Sequence, residues 1–177
     1  MYCYRSSILM HDCNGRYIVT SVVYRLQKSP ELHLDYGNLR ASLLGDDISI
    51  ADVRKAVIEI RRSKLPEPDE YGSAGSFFMN PVIPTEQYEK LKSSYPDMPH
   101  YVVDDMHVKV PAGWLIDRCG WKGKSFGGAA VYEKQCLVLI NKNNAKPNDV
   151  VALAEMIRKS VSDTYGIVIN PEVNYIE

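Results

Sequence analysis

The pattern that most constrains the fold is an amphipathic helix near the C-terminus, over residues 147–166, "PNDVVALAEMIRKSVSDTYG". Its apolar residues recur at helical spacing and share one face: Val150, Leu153, Ile157 and Val161. Pro147 suits the first turn of a helix, and Gly166 suits the position just beyond the end. The sequence therefore predicts one long helix here, with an apolar face that must be packed against the rest of the fold.

A second helix is predicted over residues 49–64. Ser49 and Asp52 form a capping-box-like start, with Asp in place of the usual Glu. An apolar stripe follows: Ile50, Val53, Val57 and Ile60. Pro66 and Pro68 end the helix, because proline cannot continue the hydrogen-bonding pattern.

Shorter patterns fill the rest of the chain. Thr85 begins a short helix, and residues 107–120 read as a strand followed by a helix that stops at a glycine. Residues 126–141 form a glycine-led strand region, and residues 167–177 read as a last strand interrupted by Pro171. Because helices and strands mix without a regular βαβ alternation, the sequence predicts an α+β fold: a small mixed or antiparallel sheet packed with helices.

The N-terminal region carries a hairpin signal. Two apolar runs, residues 6–12 and residues 16–26, flank the dipeptide Asn14-Gly15, which favours a tight turn between strands. The second run is apolar on both faces, so a strand here should be covered on both sides.

Composition excludes several classes of function. The formal net charge is −1 with acidic and basic residues interspersed, so nothing favours nucleic acid or an anionic membrane as a partner. No apolar run approaches the roughly 20 residues that a membrane helix needs. The chain has neither a GxGxxG motif nor a P-loop.

The cysteines indicate a reducing compartment. None of the four, Cys3, Cys13, Cys119 and Cys136, forms a CxxC pair or zinc-ligand spacing with a histidine, so no metal site is expected. We interpret them as free thiols of a cytoplasmic protein.

A run of five small residues, "GSAGS" at 72–76, comes directly before Phe77 and Phe78. One interpretation is a plain turn that leads into a strand. The other is a backbone that a ligand approaches closely, with Ser76 facing it. Lys64 lies just upstream in "SKLPEP", close to two prolines, and a second glycine-rich loop carries Lys122. Two such lysine-bearing loops favour an anionic ligand whose phosphates are met by lysine charges.

Longer motifs make the sequence recognisable. They occur in this order: "YRSS", "YIVTSVVYRL", "DYGNL", "SKLPEP", "GSAGSFFMNPVI", "VKVPAGWLIDRCGWKGKSFGGAAV", "LVLINKNNAKPNDVVALAEMI" and "PEV". Together they resemble the MurB family, the UDP-N-acetylenolpyruvoylglucosamine reductases, which are also called UDP-N-acetylmuramate dehydrogenases. The resemblance runs from Tyr4 almost to the C-terminus.

The resemblance implies a flavoprotein of peptidoglycan synthesis. Family members use NADPH through FAD to reduce UDP-N-acetylglucosamine enolpyruvate to UDP-N-acetylmuramate. Residues 28–177 resemble the C-terminal substrate-binding domain, and residues 1–27 resemble the last hairpin of the FAD-binding region. We therefore expect the chain alone to be inactive, with an exposed hairpin that could support a dimer. The alternative is a stand-alone module that binds a UDP-sugar without catalysis.

Three catalytic residues follow from the resemblance, by matching positions. Ser76 matches the serine that delivers a proton to the substrate carbon. Glu172 matches the glutamate that assists at the other end of the reacting group. Arg5 matches the arginine near the flavin and the substrate carboxylate.

Five further matches would bind substrate. Tyr36 matches the tyrosine that closes over the nucleotide. The others match positions that line the nucleotide and diphosphate pocket: Lys64, Asn80, Lys122 and Gln135. Met79 and Asn174 stand where the family commonly has a lysine and an arginine, which removes positive charge near the expected ligand.

Overall fold

The computed structural model describes residues 2–3, 6–9, 12–13, 15–35, 37–43, 45 and 47–175. The chain divides into two compact units, residues 1–40 and residues 41–177. The assignment of residues 1–27 and 28–177 to two different domains stays a prediction.

The first unit contains one pair of very short strands. Strands β1 (Tyr2–Cys3) and β2 (Ser6–Ser7) pair antiparallel. The strand predicted over residues 16–26 is not formed: residues 17–27 have no regular secondary structure, and Val23 is 95% exposed. A strand needs a hydrogen-bonded neighbour and a buried face, and the described residues provide neither here. Asn14 lies outside the described residues.

Four α-helices form where the sequence predicts them. They are α1 (Ile50–Lys64), α2 (Thr85–Ser94), α3 (Ala112–Arg118) and α4 (Pro147–Tyr165), and a short 3₁₀ helix covers Arg40–Ser42. The capping box of α1 is confirmed, since the Asp52 amide donates to Ser49 Oγ at 3.2 Å and the Ser49 amide donates to Asp52 Oδ2 at 3.0 Å. Gly166 ends α4 in the left-handed conformation, with φ of 63°.

Seven strands of the second unit form two antiparallel sheets. They are β3 (Gly72–Ser76), β4 (Val82–Pro84), β5 (Tyr101–Val102), β6 (His107–Lys109), β7 (Ser125–Phe126), β8 (Ala129–Val131) and β9 (Val138–Asn141). One sheet has the order β3-β9-β8-β7 and the other β4-β6-β5. The predicted α+β class is confirmed.

The last predicted strand is reduced to a single bridge. Phe78 pairs with Pro171, the Met79 amide donates to the Asn170 carbonyl at 2.9 Å, and the Glu172 amide donates to the Phe77 carbonyl at 2.8 Å. Proline has no N–H group, so the ladder cannot continue through residue 171. The segment is nevertheless fixed against the chain that follows β3.

The core of the second unit lies around α4. Leu153, Ile157 and Val161 are fully buried, as the sequence pattern predicts, and they belong to one cluster with Phe78 and Leu115. Burying a side chain of this size contributes roughly 1.5–3 kcal/mol. No helix among the described residues is long and apolar enough to cross a membrane. The core therefore holds α3, α4 and the end of β3 together.

Candidate functional site

The small-residue run forms a bulged edge strand. In the ladder between β3 and β9, Ser73 lies opposite Ile140 but Ser76 lies opposite Val138, so β3 contains one extra residue. Gly75, within this bulge, has a φ of 77°, a left-handed conformation that favours glycine. All five residues of β3 are exposed. The bulge interrupts the ladder just before Ser76, which lies on the edge strand of the sheet.

A groove, which we call the α1 groove, lies beside this strand. It has a volume of about 350 Å³, and its lining includes Arg61 and Leu65 at the end of α1, Ser73 and Gly75 of β3, and Val138 of β9. A Cβ atom added at Gly75 would meet no atom within 4 Å, so the space beside the backbone is open. The groove thus combines apolar walls, the guanidinium groups of Arg61 and Arg62, the carboxylate of Glu67 and a strand without a side chain at residue 75.

A second depression, which we call the Lys122 cavity, gathers three of the predicted substrate-binding residues. Asn80, Lys122 and Gln135 all line it, and its volume is about 380 Å³. Lys64, the last residue of α1, lines neither this cavity nor the α1 groove. Two other predicted site residues, Arg5 and Tyr36, lie outside the described residues.

Backbone contacts hold the two amide side chains of the Lys122 cavity. Asn80 Oδ1 accepts a hydrogen bond from the Ala112 amide at 2.9 Å, which satisfies an N–H group in the first turn of α3. Gln135 Oε1 accepts one from the Leu137 amide at 3.4 Å. The oxygen atoms are therefore engaged with the protein, which leaves the NH₂ groups as the donors available to a ligand.

Cations outnumber carboxylates in the Lys122 cavity. Lys122 and Lys134 both line it, together with one acidic residue, Asp117, whose Oδ2 lies 3.9 Å from Lys122 Nζ. Half-exposed lysines beside a single carboxylate leave a positive balance that suits an anion. The arrangement can meet a phosphate with point charges and amide donors.

A thiol also lines the Lys122 cavity. Burial and the nearby Asp117 carboxylate raise the pKa of Cys136 to about 11, and the positive charge of Lys122 offsets only part of this. The thiol is therefore neutral near pH 7. Cys13, Cys119 and Cys136 are all free, as predicted, and the side chain of Cys3 is not described.

Sequence reasoning missed an aromatic wall of the Lys122 cavity. Tyr101 lines it, and Lys109 Nζ lies 5.6 Å from the centre of the Tyr101 ring. The two residues are register partners between β5 and β6. Only a known strand register would have revealed this pair, because eight positions separate the two residues in sequence.

Ser76 and Glu172 are brought together through Phe77. The Glu172 amide donates to the Phe77 carbonyl, and the Phe77 amide donates to the Leu137 carbonyl at 2.7 Å. Leu137 lines the Lys122 cavity, whereas Val138, opposite Ser76, lines the α1 groove. Ser76 itself lines neither depression, although its ladder partner Val138 lines the α1 groove. The exposed hydroxyl of Ser76 and the exposed carboxylate of Glu172 provide groups for proton transfer.

Known proteins resemble the chain over nearly its whole length. Residues 67–176 match the family described as UDP-N-acetylenolpyruvoylglucosamine reductase, C-terminal domain. A protein of that name from Bacteroides fragilis is 49% identical over 99% of this chain and 53% of its own length. Namesakes from Flavobacterium johnsoniae and Pasteurella multocida are 43% and 45% identical, over 98% of this chain and 52% and 51% of their own lengths.

The chain spans about half the length of the curated relatives it matches. The family match covers most of the second unit, including β3, the Lys122 cavity and the segment that carries Glu172. The chain therefore belongs to the UDP-N-acetylenolpyruvoylglucosamine reductase family, whose C-terminal domain it contains.

Proposed function

We propose that this chain is the substrate-binding part of an enzyme that reduces UDP-N-acetylglucosamine enolpyruvate to UDP-N-acetylmuramate, with NADPH as reductant and FAD as cofactor. One observation carries the proposal. Asn80, Lys122 and Gln135, which lie far apart in sequence, line a single cavity. Family membership and the names of the relatives support the same activity.

The Lys122 cavity would bind the nucleotide diphosphate. Its volume lies within the range of about 300–1,000 Å³ that is typical of small-molecule sites. The ammonium groups of Lys122 and Lys134 would face the phosphates, and the amide groups of Asn80 and Gln135 would fix their orientation. The resemblance to the family assigns Lys64 and Tyr36 to the nucleotide as well.

The α1 groove fits a flat cofactor ring. Leu65 and Val138 offer apolar contact, Arg61 offers a cation, and Gly75 leaves room beside the strand. We infer that the flavin ring of FAD approaches the backbone here, while the other half of the full-length protein supplies most of its contacts. FAD, once reduced by NADPH, provides the hydride for the reaction.

Ser76 would act as the proton donor. The hydride adds to the terminal carbon of the enolpyruvyl double bond, and a proton adds to the carbon beside the carboxylate, so the double bond becomes a single bond. Negative charge develops on that second carbon and its carboxylate, where a positioned hydroxyl and nearby cations stabilise it. Ser76 would give the proton and Glu172 would assist at the other end of the reacting group, and the resemblance to the family assigns Arg5 to the substrate carboxylate.

The finer biological assignments follow from the same proposal. Free thiols at Cys13, Cys119 and Cys136 fit a reducing cytoplasm. The exposed apolar side chains of residues 17–26 would be covered by the rest of the flavoprotein or by a second copy in a dimer.

Calorimetric titration with UDP-N-acetylmuramate tests the proposal. We expect the chain to bind this ligand and Lys122→Ala to weaken binding by about tenfold, because a charge-assisted contact to phosphate is lost. Lys124→Ala is the matched control: it lies in the same loop, and its ammonium group lies over the Trp121 ring at 5.6 Å. Absence of binding, or equal losses in both variants, would contradict the proposal.

A further inference from the structure

Arg158 connects α4 to the segment that carries Glu172. Its Nε donates a hydrogen bond to the Ile169 carbonyl at 3.0 Å. Its Nη1 donates to both carboxylate oxygens of Glu155, at 2.7 and 3.0 Å. The side chain is only 30% exposed, so the planar guanidinium is held in one orientation between a backbone carbonyl and a carboxylate.

The Ile169 carbonyl lies on what we call the outer side of this segment, which faces away from Phe77 and Met79. On the inner side, which faces them, the Asn170 carbonyl accepts from the Met79 amide and the Glu172 amide donates to the Phe77 carbonyl. Successive carbonyl groups of an extended chain face opposite sides, so the Ile169 carbonyl is directed away from those partners. Ile169 is fully buried, and a buried carbonyl without a partner is costly. Arg158 provides the hydrogen bond that an adjacent strand would provide.

The chain beyond Glu172 lies close to Phe77. Tyr175 lies with its ring centre 6.4 Å from that of Phe77. Burial raises the pKa of Tyr175, the Glu155 carboxylate raises it further, and Arg158 opposes this. In sequence, Glu172 therefore lies between Ile169, whose carbonyl Arg158 contacts, and Tyr175, whose ring lies beside Phe77.

We propose that Arg158 is a positioning residue for Glu172: it fixes the outer side of residues 169–172 and so sets where the carboxylate of Glu172 stands relative to Ser76. The inference rests on the proposed function, in which Glu172 assists the reaction. Arg158 itself touches neither Ser76 nor the reacting atoms in this assignment.

Hydrogen exchange on the 177-residue chain tests the structural half of the inference. Arg158→Ala should speed exchange of the Met79 and Glu172 amides by at least about tenfold, because their partner segment loosens. Arg158→Lys should give a smaller increase, since one ammonium cannot keep both contacts in the same geometry. Lys159→Ala, which breaks only an exposed pair with Asp163, is the control and should change neither amide. Unchanged exchange in Arg158→Ala would overturn the inference.

Single-turnover kinetics of the full-length reductase test the catalytic half. Arg158→Ala should slow reoxidation of the reduced flavin by the enolpyruvyl substrate about 10- to 100-fold, the scale of a small misplacement, and should leave flavin reduction by NADPH unchanged. Arg158→Lys should recover part of the rate. In a Glu172→Gln background, Arg158→Ala should add little, because both changes act on the same carboxylate.

The outcomes separate the two proposals. A full additional loss in the double variant, or equal slowing of both half-reactions, would show a general packing role for Arg158 and overturn this inference alone. If Glu172→Gln by itself leaves reoxidation unchanged, the role of Glu172 in the proposed function is wrong, and the positioning role of Arg158 is wrong with it.

Discussion

The α1 groove and the Lys122 cavity are similar in size but are assembled differently. Most of the groove comes from one stretch, residues 58–75, with Val138 added from β9. The cavity takes its lining from residue 80, residue 101, residues 111–117, residue 122 and residues 134–137. The groove therefore forms mainly between residues that are close in sequence. The cavity forms only when the sheets and α3 have packed together.

The groove and the cavity also differ in the chemistry of their linings. The groove has a largely apolar lining, with Arg61, Arg62 and Glu67 as its charged residues, beside a glycine-containing strand, which suits a flat ring. The cavity has two lysines and two amides, which suit phosphate oxygens. Ser76 lines neither of them: its ladder partner Val138 lines the groove, and Leu137, whose carbonyl accepts from the Phe77 amide, lines the cavity. Two depressions of similar size therefore differ both in how they are assembled and in the ligand groups that they suit.

The largest expected effect is at Ser76. In the full-length reductase, Ser76→Ala should slow reoxidation of the flavin by the enolpyruvyl substrate about 10²- to 10⁴-fold, because a general acid is removed. Flavin reduction by NADPH should be unchanged, since it does not use this proton. Stopped-flow absorbance of the flavin measures both steps.

Ser73→Ala is the control for this experiment. Ser73 lies in the same strand and lines the groove, but no proton-transfer role is assigned to it. Equal slowing in both variants would mean that the strand tolerates no change, and the assignment of Ser76 as proton donor would be wrong.

The next largest effect is expected from a substitution that alters the α1 groove and leaves the Lys122 cavity unchanged. Gly75→Ala places a side chain at a left-handed position, so the free energy of unfolding should fall by about 1–2 kcal/mol, and flavin binding by the full-length protein should weaken. Gly72→Ala is the matched control: its added Cβ would lie 3.8 Å from Asn141 Cβ, an ordinary contact. Thermal unfolding of the chain checks the first outcome; equal stability of the two variants would contradict it.

The smallest expected effect is the pH dependence of stability that comes from Cys136 in the Lys122 cavity. Because the pKa of Cys136 is raised from 9.0 to about 11, the folded protein keeps this proton at a pH where the unfolded chain loses it. Its contribution to stability should be constant below pH 9 and should fall as pH rises from 9 to 11. Iodoacetamide labelling followed by mass spectrometry should show slow alkylation of Cys136 at pH 8. Cys136 labelling as fast as the half-buried Cys119 would count against this assignment.

The sequence predicted some elements better than others. The helices over 49–64 and 147–166 have capping or terminating residues at their ends and apolar residues at helical spacing between them. These signals are local in sequence, so the bounds of both helices were predicted closely. The strand over 16–26 was predicted wrongly, because its apolar pattern describes a strand in a sheet and the described residues contain no partner for it. The strand predicted over residues 167–177 was wrong for a different reason, because Pro171 limits the pairing to one bridge.

By itself the sequence determined what local physics controls. Gly75 and Gly166 permit left-handed backbone, Ser49 caps a helix, and the apolar face of α4 requires burial. The family resemblance had already grouped Asn80, Lys122 and Gln135, and the structure shows that they line one cavity. Tertiary structure alone decided other distant contacts, such as Tyr101 with Lys109 and Arg158 with the Ile169 carbonyl. Such pairs depend on strand register and on the packing of helices. Neither leaves a periodic signal around the residues concerned, because the energy that selects them comes from contacts across the whole core.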